Sequence, residues 1–128
     1  NYRAYTYIDD AVDCISRIID NRGGVCDGQI FNIGTPENEV TIKELANKMC
    51  AIFDKDFRQP GDPYPEIISV SSEEFYGKGY EDCDRRIPDV AKARKLVGWK
   101  SKHDLDSVLF HTMKYFVAKH REKQPLAA

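Results

Sequence analysis

The stretch that decides the fold is RAYTYIDDAV, residues 3–12, near the start of this 128-residue chain. Its aromatic residues and threonine favour a β-strand over residues 2–7. Asp9 or Asp10 is the expected N-cap of a helix that runs to about Asn21, because a carboxylate accepts hydrogen bonds from the free amides of the first helical turn. A strand in this position has no partner upstream. We therefore expect the chain to be the C-terminal lobe of a larger α/β enzyme.

Strands and helices alternate along the rest of the chain, which is typical of an α/β fold. Further strands are predicted at residues 29–33 and 67–70, where short apolar runs lie between turn residues. Glycines at 23 and 24 are expected to end the first helix, since glycine accepts the left-handed backbone conformation that follows many helices. We assign residues 1–118 to one lobe and residues 119–128 to a polar tail.

Three more helices are predicted from their start signals. Thr41-Ile42-Lys43-Glu44 has the form of a capping box, in which two side chains satisfy each other's backbone amides. The helix that follows is expected to bury an apolar stripe. Another helix is predicted near residues 89–97, and the last one from Asp104. The last helix should bury four apolar residues, namely Leu105, Val108, Leu109 and Phe116.

Composition excludes several function classes. The chain has 19 lysines and arginines and 21 aspartates and glutamates, so its formal charge is −2. It therefore has no excess of positive charge that would attract nucleic acid. No apolar run approaches the roughly 20 residues that span a bilayer. The four cysteines lack CxxC spacing and no histidine cluster accompanies them, which argues against a metal site. They favour a reducing compartment, and we expect a cytoplasmic protein.

The densest group of chemically useful side chains is FYGKGYEDCDRRIPD, residues 75–89. Its tyrosines offer flat faces to a base, and its arginines offer planar forks that match phosphate or carboxylate. A loop with both suits an anionic ligand that carries a ring. The alternative is an ordered surface loop whose arginines meet the nearby carboxylates of residues 81, 82 and 84. The residues themselves leave both interpretations open.

Other polar residues have similar alternatives. Arg3 is either an edge residue that deters aggregation or a cation that binds a diphosphate. Asn32 is expected to be a buried amide and Trp99 a core or interface residue. The three histidines, His103, His111 and His120, are expected to be surface residues and not catalysts.

The order of the motifs resembles a known family. The run from Arg3 to Asp10, then FNIG, TIKELA and ARKLVGWK, is similar to extended short-chain dehydrogenases that act on nucleotide sugars. The run YGKGYEDCDRRIPD more closely resembles the UDP-glucuronic acid decarboxylases of the ArnA type, which belong to lipid A modification and polymyxin resistance. The resemblance implies an NAD-dependent oxidoreductase. It also implies that this chain is the C-terminal substrate-binding lobe of a Rossmann-type fold.

The resemblance also implies residue roles. Arg3 matches an arginine of the uridine-diphosphate segment, Tyr80 a tyrosine that contacts the UDP-sugar, and Arg86 the catalytic arginine described as a proton donor. A guanidinium holds its proton too tightly for that task, so we favour an electrostatic role for Arg86. NAD would be bound mainly by an N-terminal Rossmann domain, because the chain has neither a glycine-rich turn nor a Tyr-x-x-x-Lys pair.

Two alternatives stay open. The same fold could serve another sugar-nucleotide epimerase or dehydratase, although such enzymes need no cation aimed at a carboxylate. The chain could also be a stand-alone interaction domain. In the favoured interpretation the isolated chain is inactive and exposes an apolar surface that promotes self-association.

Overall fold

The sheet is assembled from three segments that lie far apart in sequence. The structure, a computed structural model, describes residues 1–123. Strand β1 (Tyr2–Ala4) lies at the centre, antiparallel to β2 (Glu39–Thr41) and parallel to β3 (Arg85–Arg86). Because β1 pairs on both sides, the start of the chain holds residues 85–86 in a fixed register. The α/β class predicted from the sequence is confirmed.

Helix α1 (Ile8–Asp20) ends where the sequence predicts, but its capping residues differ from the prediction. Tyr7 is its N-cap and makes no side-chain capping bond, so the cap predicted at Asp9 or Asp10 is wrong. The helix ends at Asp20, and its C-cap Asn21 adopts the left-handed conformation with φ at 42°. Asparagine is one of the few non-glycine residues that take this conformation readily. The glycines at 23 and 24 therefore belong to the following turn.

The apolar side of α1 is divided between a buried and an exposed face. Cys14 is fully buried and Ile18 packs beside it. A second row, which we call the outer stripe, is exposed by 46–77% and consists of Ile8, Val12, Ile15 and Ile19. The spacing of this row places its members on one helix face. An apolar helix face left open to water is typical of a surface that another structure covers.

The main core lies between α1 and α4 (Ala91–Val97). Its buried members are Cys14, Val90, Ala93 and Trp99. The indole of Trp99 donates a hydrogen bond of 2.8 Å to the backbone carbonyl of Asp10, which ties the segment after α4 to the start of α1. The sequence predicts that Trp99 is either a core or an interface residue, and the structure places it in the core.

Two further helices begin where the sequence places them. Helix α2 (Ile42–Ile52) has the predicted capping box, with both bonds between Thr41 and Glu44 present. It continues into one π-helical turn, Phe53–Phe57. The predicted stripe of α2 is only partly covered, since Ile42 is 50% exposed. Asp104 caps α5 (Leu105–Glu122) by accepting a bond from the Ser107 amide.

Helix α5 buries less and extends further than predicted. Val108 and Leu109 are buried, but Phe116 is 59% exposed, so its predicted burial is wrong. The helix continues past residue 118 to Glu122, and the boundary drawn there falls inside a helix. Residues 124–128 of the predicted tail lie outside the described residues. None of the helices in residues 1–123 has the length and apolar character needed to cross a membrane.

The strands predicted at residues 29–33 and 67–70 do not form. A strand requires a neighbour that accepts and donates its backbone bonds, and neither segment is paired with a strand in residues 1–123. Ile30 and Ile68 are 83% and 74% exposed, so neither is packed as a strand residue. A short helix, α3 (Ser72–Tyr76), follows the second segment instead.

Candidate functional site

Arg3 and Arg86 lie side by side on two neighbouring strands. They are register partners in the parallel pair of β1 and β3, and partners in register present their side chains on the same face of a sheet. Both line a cavity of about 540 Å³. Its other walls are formed by residues of the β1–α1 connection, of the FNIG segment and of the chain after β3, among them Thr6, Ile33, Gly34, Pro88 and Asp89.

The carboxylate of Asp82 bridges the two arginines. Its Oδ2 accepts a bond of 2.5 Å from Nη2 of Arg3, and its Oδ1 lies 3.5 Å from Nη2 of Arg86. Asn1 donates a third bond, of 3.0 Å, to Oδ2. The side chains of Arg3 and Asp82 are 20% and 24% exposed, whereas that of Arg86 is 69% exposed. The pairing expected between the arginines of this segment and nearby carboxylates therefore exists for Arg86 and Asp82.

Backbone carbonyls fix the position of the Arg3 guanidinium. Its Nη1 donates to the carbonyl of Tyr2 at 2.7 Å and to that of Cys83 at 2.9 Å. These two bonds use one end of the guanidinium and leave Nη2 directed at Asp82. Arg3 is thus a positioned cation with a donor aimed at an anion.

Arg85 has a different function from its neighbour Arg86. Its guanidinium makes two bonds to Glu39, at 2.7 and 3.0 Å, across the centre of the sheet. The bond from Arg85 lowers the pKa of the Glu39 carboxyl below its ordinary value. Because alternate residues of a strand point to opposite faces, Arg85 ties β3 to β2 while Arg86 faces the cavity. No local pattern distinguishes these two adjacent arginines before the strand is known.

Tyr80 lies in an exposed aromatic group. Its ring stacks on that of Tyr76, with centroids 4.2 Å apart and an interplanar angle of 20°. Gly77 and Gly79, with φ at 93° and 84°, form the turn that brings the two rings together. Tyr80 is 45% exposed and is not among the residues that line the cavity as the structure describes it. The structure thus brings Arg3 and Arg86 together and places Tyr80 in a separate stack.

The predicted buried amide is a different asparagine. Asn32 is exposed, and its side chain donates to the carbonyl of Asp89 at 3.2 Å, so the prediction of burial is wrong. Asn38 is 4% exposed and donates to the carbonyls of Tyr5 and His103, both at 3.1 Å. Its position in a turn directly before β2 was the one local signal for this role.

Asp10 and His103 form a pair beneath the β1–α1 connection. Asp10 is 4% exposed, and its Oδ1 lies 3.0 Å from Nδ1 of His103. Its Oδ2 accepts bonds from the amides of Lys102 and His103, both at 3.1 Å. Burial alone would raise the pKa of the Asp10 carboxyl, but these hydrogen bonds outweigh it and lower the pKa. The pair fastens the loop before α5 and takes no part in lining the cavity.

Residues 1–123 do not fit an NAD diphosphate at their strand-to-helix turn. The connection between β1 and α1 carries no glycine that would let backbone amides approach a phosphate. Asp9 and Asp10 lie in the first turn of α1 and place negative charge where a diphosphate would need positive charge. These residues therefore provide no binding site for the diphosphate of a dinucleotide.

Comparisons with known proteins give a structural likeness. No protein-family model matches the chain. The crystal structure of PbgP3 protein from Burkholderia pseudomallei is similar to it, with a TM-score of 0.65 and 27% sequence identity. The likeness covers 94% of this chain and 32% of that chain, so this chain spans about a third of that length. The fit over nearly the whole chain agrees with the ArnA-like α/β fold expected from the sequence motifs.

Proposed function

We propose that this chain is the substrate-binding lobe of an NAD-dependent UDP-glucuronic acid decarboxylase. The observation that carries the proposal is the placement of Arg3 and Arg86 as register partners beside one cavity. UDP-glucuronic acid carries a diphosphate and a carboxylate, and two guanidinium groups on one strand pair are suited to such a molecule. The likeness to PbgP3 protein supports an enzyme-derived lobe of this kind.

The two arginines take different parts of the substrate in this proposal. Arg3 is held by two backbone carbonyls and is less exposed, which suits a fixed contact to the diphosphate. Arg86 is more exposed and is held weakly, at 3.5 Å from Asp82, which leaves it free to meet the substrate carboxylate. In the same proposal Tyr80 contacts the UDP-sugar. This requires the loop that carries Tyr80 to move towards the cavity, because the ring now stacks on Tyr76.

Arg86 acts electrostatically on the decarboxylation step. When the carboxylate lies beta to a ketone, the bond to carbon dioxide breaks and its electron pair passes into an enolate. A guanidinium beside the carboxylate and the ketone oxygen stabilises the charge as it moves. Arginine keeps its proton near neutrality, so the proton that later reaches carbon comes from water or from another group.

The cofactor belongs to another part of the enzyme. The chain spans 32% of the PbgP3 chain, and its own strand-to-helix turn does not fit a dinucleotide. In the proposal a neighbouring Rossmann domain binds NAD, and the outer stripe of α1 is part of the surface that this domain covers.

The test is carbon dioxide release by the longer protein that contains this lobe. Purified protein is incubated with NAD and UDP-glucuronic acid, and the UDP-sugar product is weighed by mass spectrometry. The proposal expects loss of carbon dioxide to give a UDP-pentose derivative. A product of unchanged mass, or conversion of UDP-glucose instead, would show an epimerase or dehydratase and would overturn the proposal.

A further inference from the structure

The strand that carries Arg86 is short, and little fixes its orientation. β3 consists of two residues, and both are exposed, so neither is anchored by burial in the core. The pairing of a strand without a buried face is weakly specified. The contact between Arg86 and Asp82 is long, at 3.5 Å. Another contact of β3 must therefore direct the Arg86 side chain.

Glu39 holds this strand from the face of the sheet opposite to the cavity. Arg85 is in register with Tyr2 of β1. Glu39 is in register with Ala4, two residues further along the same strand. Because residues two apart in a strand share a face, Arg85 and Glu39 lie on one side of β1. There the Arg85 guanidinium donates two bonds to the Glu39 carboxylate, at 2.7 and 3.0 Å, and a bidentate pair of this kind fixes the geometry of both groups.

We propose that Glu39 is a positioning residue for Arg86, and that its bonds from Arg85 keep the Arg86 guanidinium directed into the cavity. Adjacent residues of a strand point to opposite faces, so holding Arg85 on one face directs Arg86 to the other. Glu39 is not among the residues that line the cavity, so it acts on a ligand there through Arg86. The task of Arg86 rests on the proposed function, whereas the anchoring of β3 by Glu39 does not.

Other contacts hold the chain beside β3 without directing Arg86. The amide of Tyr2 donates to the carbonyl of Asp84 at 2.6 Å, and Arg3 donates to the carbonyl of Cys83 at 2.9 Å. Both bonds fix the backbone just before β3 and leave the strand free to twist about its own axis. Loss of the Glu39 contact should therefore misdirect Arg86 without unfolding the chain.

Glu37 provides a matched control. It lies two residues before Glu39 and accepts a bond of 2.5 Å from the guanidinium of Arg94. Both carboxylates thus form a surface ion pair with an arginine from a distant part of the chain. Arg94 belongs to α4 and not to the sheet. Loss of the Glu37 pair should leave β3 unchanged.

The first test follows Arg86 in the 128-residue chain by NMR. Glu39→Gln keeps the size of the side chain, but it removes the charge and places an amide donor against the guanidinium donors of Arg85. Nuclear Overhauser contacts between the side chains of Arg3 and Arg86, which share the cavity face, should be lost. Glu37→Gln should retain them. Unchanged contacts in Glu39→Gln would overturn the inference, whatever reaction the longer protein catalyses.

The second test measures the reaction of the longer protein. Glu39→Gln should lower kcat by about 10- to 100-fold, because a misplacement near 1 Å can cost that much. UDP affinity should change by less than about twofold, since Arg3 keeps its contacts. Glu37→Gln should leave kcat within about twofold of the unaltered protein.

A double variant separates positioning from a loss of charge. Glu39→Arg combined with Arg85→Glu restores the pair in reverse and should recover most of the lost turnover. Equal losses in Glu39→Gln and Glu37→Gln, or a loss that the double variant does not recover, would overturn the inference. A longer protein that releases no carbon dioxide would overturn the proposed function instead, and the NMR test would then decide the role of Glu39.

Discussion

Gly34 lies against the ring of Pro88, so close that a side chain at position 34 would have its Cβ less than 3.0 Å from the ring. The two residues form one wall of the cavity that Arg3 and Arg86 share. Gly34→Ala should therefore lower the free energy of unfolding by about 1–3 kcal/mol, the usual cost of overpacking. Chemical denaturation of the purified variant measures this change.

Pro88→Ala provides the control for that prediction. It removes the ring carbons that the new methyl group would strike, so the double variant should be less destabilised than the sum of the single variants. Additive effects would mean that the contact between positions 34 and 88 is not the cause.

Asp10 should stabilise the chain at neutral pH and lose this effect in acid. Its pKa is lowered in the folded protein, because the bonds from His103 and Lys102 outweigh burial. A group with a lowered folded pKa contributes stability above its unfolded pKa, near 4, and loses it as the pH falls through the folded value. Asp10→Asn should cost about 1–3 kcal/mol at pH 7, since it places an amide against donors.

Denaturation curves at pH 7 and near pH 3 check this prediction. The difference between the unaltered chain and Asp10→Asn should shrink as the pH falls, because the carboxyl then becomes protonated in the unaltered chain. Asp9→Asn, at an exposed position in the same helical turn, serves as the control and should show little change. If Asp10→Asn lost the same free energy of unfolding at both pH values, the stabilising role assigned to the ionised Asp10 would be wrong.

If the proposed function is correct, Arg86→Lys in the longer protein should slow decarboxylation. Lysine keeps the charge but loses the planar fork, and removal of one oriented donor costs on the order of 2–4 kcal/mol of transition-state stabilisation, or roughly 30- to 1000-fold in rate. UDP affinity should change little. Arg3→Ala is the contrasting variant and should weaken UDP binding more than it slows the chemical step.

Single-turnover rates, UDP affinity and melting temperature of both variants decide between catalysis and structure. If the arginines only pair with Asp82, both variants should lose stability and keep their turnover. If Arg86→Lys kept near-full turnover and normal UDP binding, Arg86 would have no catalytic role.

The isolated chain should associate with itself through the outer stripe of α1. Its four apolar residues are 46–77% exposed on one face of the helix. Light scattering across a concentration series should show a rising mass. Ile15→Lys should reduce the rise, whereas Thr112→Lys, which adds the same charge to an exposed position of α5, should not.

The 128-residue chain alone should form no NADH from NAD and UDP-glucuronic acid. Its strand-to-helix turn lacks glycine, and Asp9 and Asp10 add negative charge to the first turn of the helix that follows. Absorbance at the NADH band during incubation checks this, with the longer protein as the positive control. Clear NADH formation by the short chain would mean that it contains a complete site.

Local signals predicted the helices better than the strands. The capping box at Thr41 and the cap at Asp104 depend on residues three positions apart, and both form as predicted. The strands depend on partners that local sequence cannot identify. Residues 39–41 and 85–86 form strands because β1 lies between them, although the apolar run at 67–70 looked more like a strand.

The site shows the same division between local and long-range information. Motif resemblance selected Arg3 and Arg86 separately, and the structure places them in register. Nothing local indicated that Asp82 would join them, or that Arg85 would turn away to Glu39. Strand alternation decides which of two adjacent arginines faces the cavity, and that alternation requires knowing the strand.

The central position of β1 also makes folding and ligand binding interdependent. Arg3 and Asp82 are 79 residues apart in sequence, so the cavity that Arg3 and Arg86 line forms only after the two ends of this long segment have met. Loop closure of this length is costly in entropy and slow compared with helix formation. In the proposed function the diphosphate of the substrate contacts Arg3 and its carboxylate contacts Arg86, so the bound substrate would link the two ends of this segment without a covalent bond. It should raise the melting temperature with concentration, as any ligand specific for the folded state does.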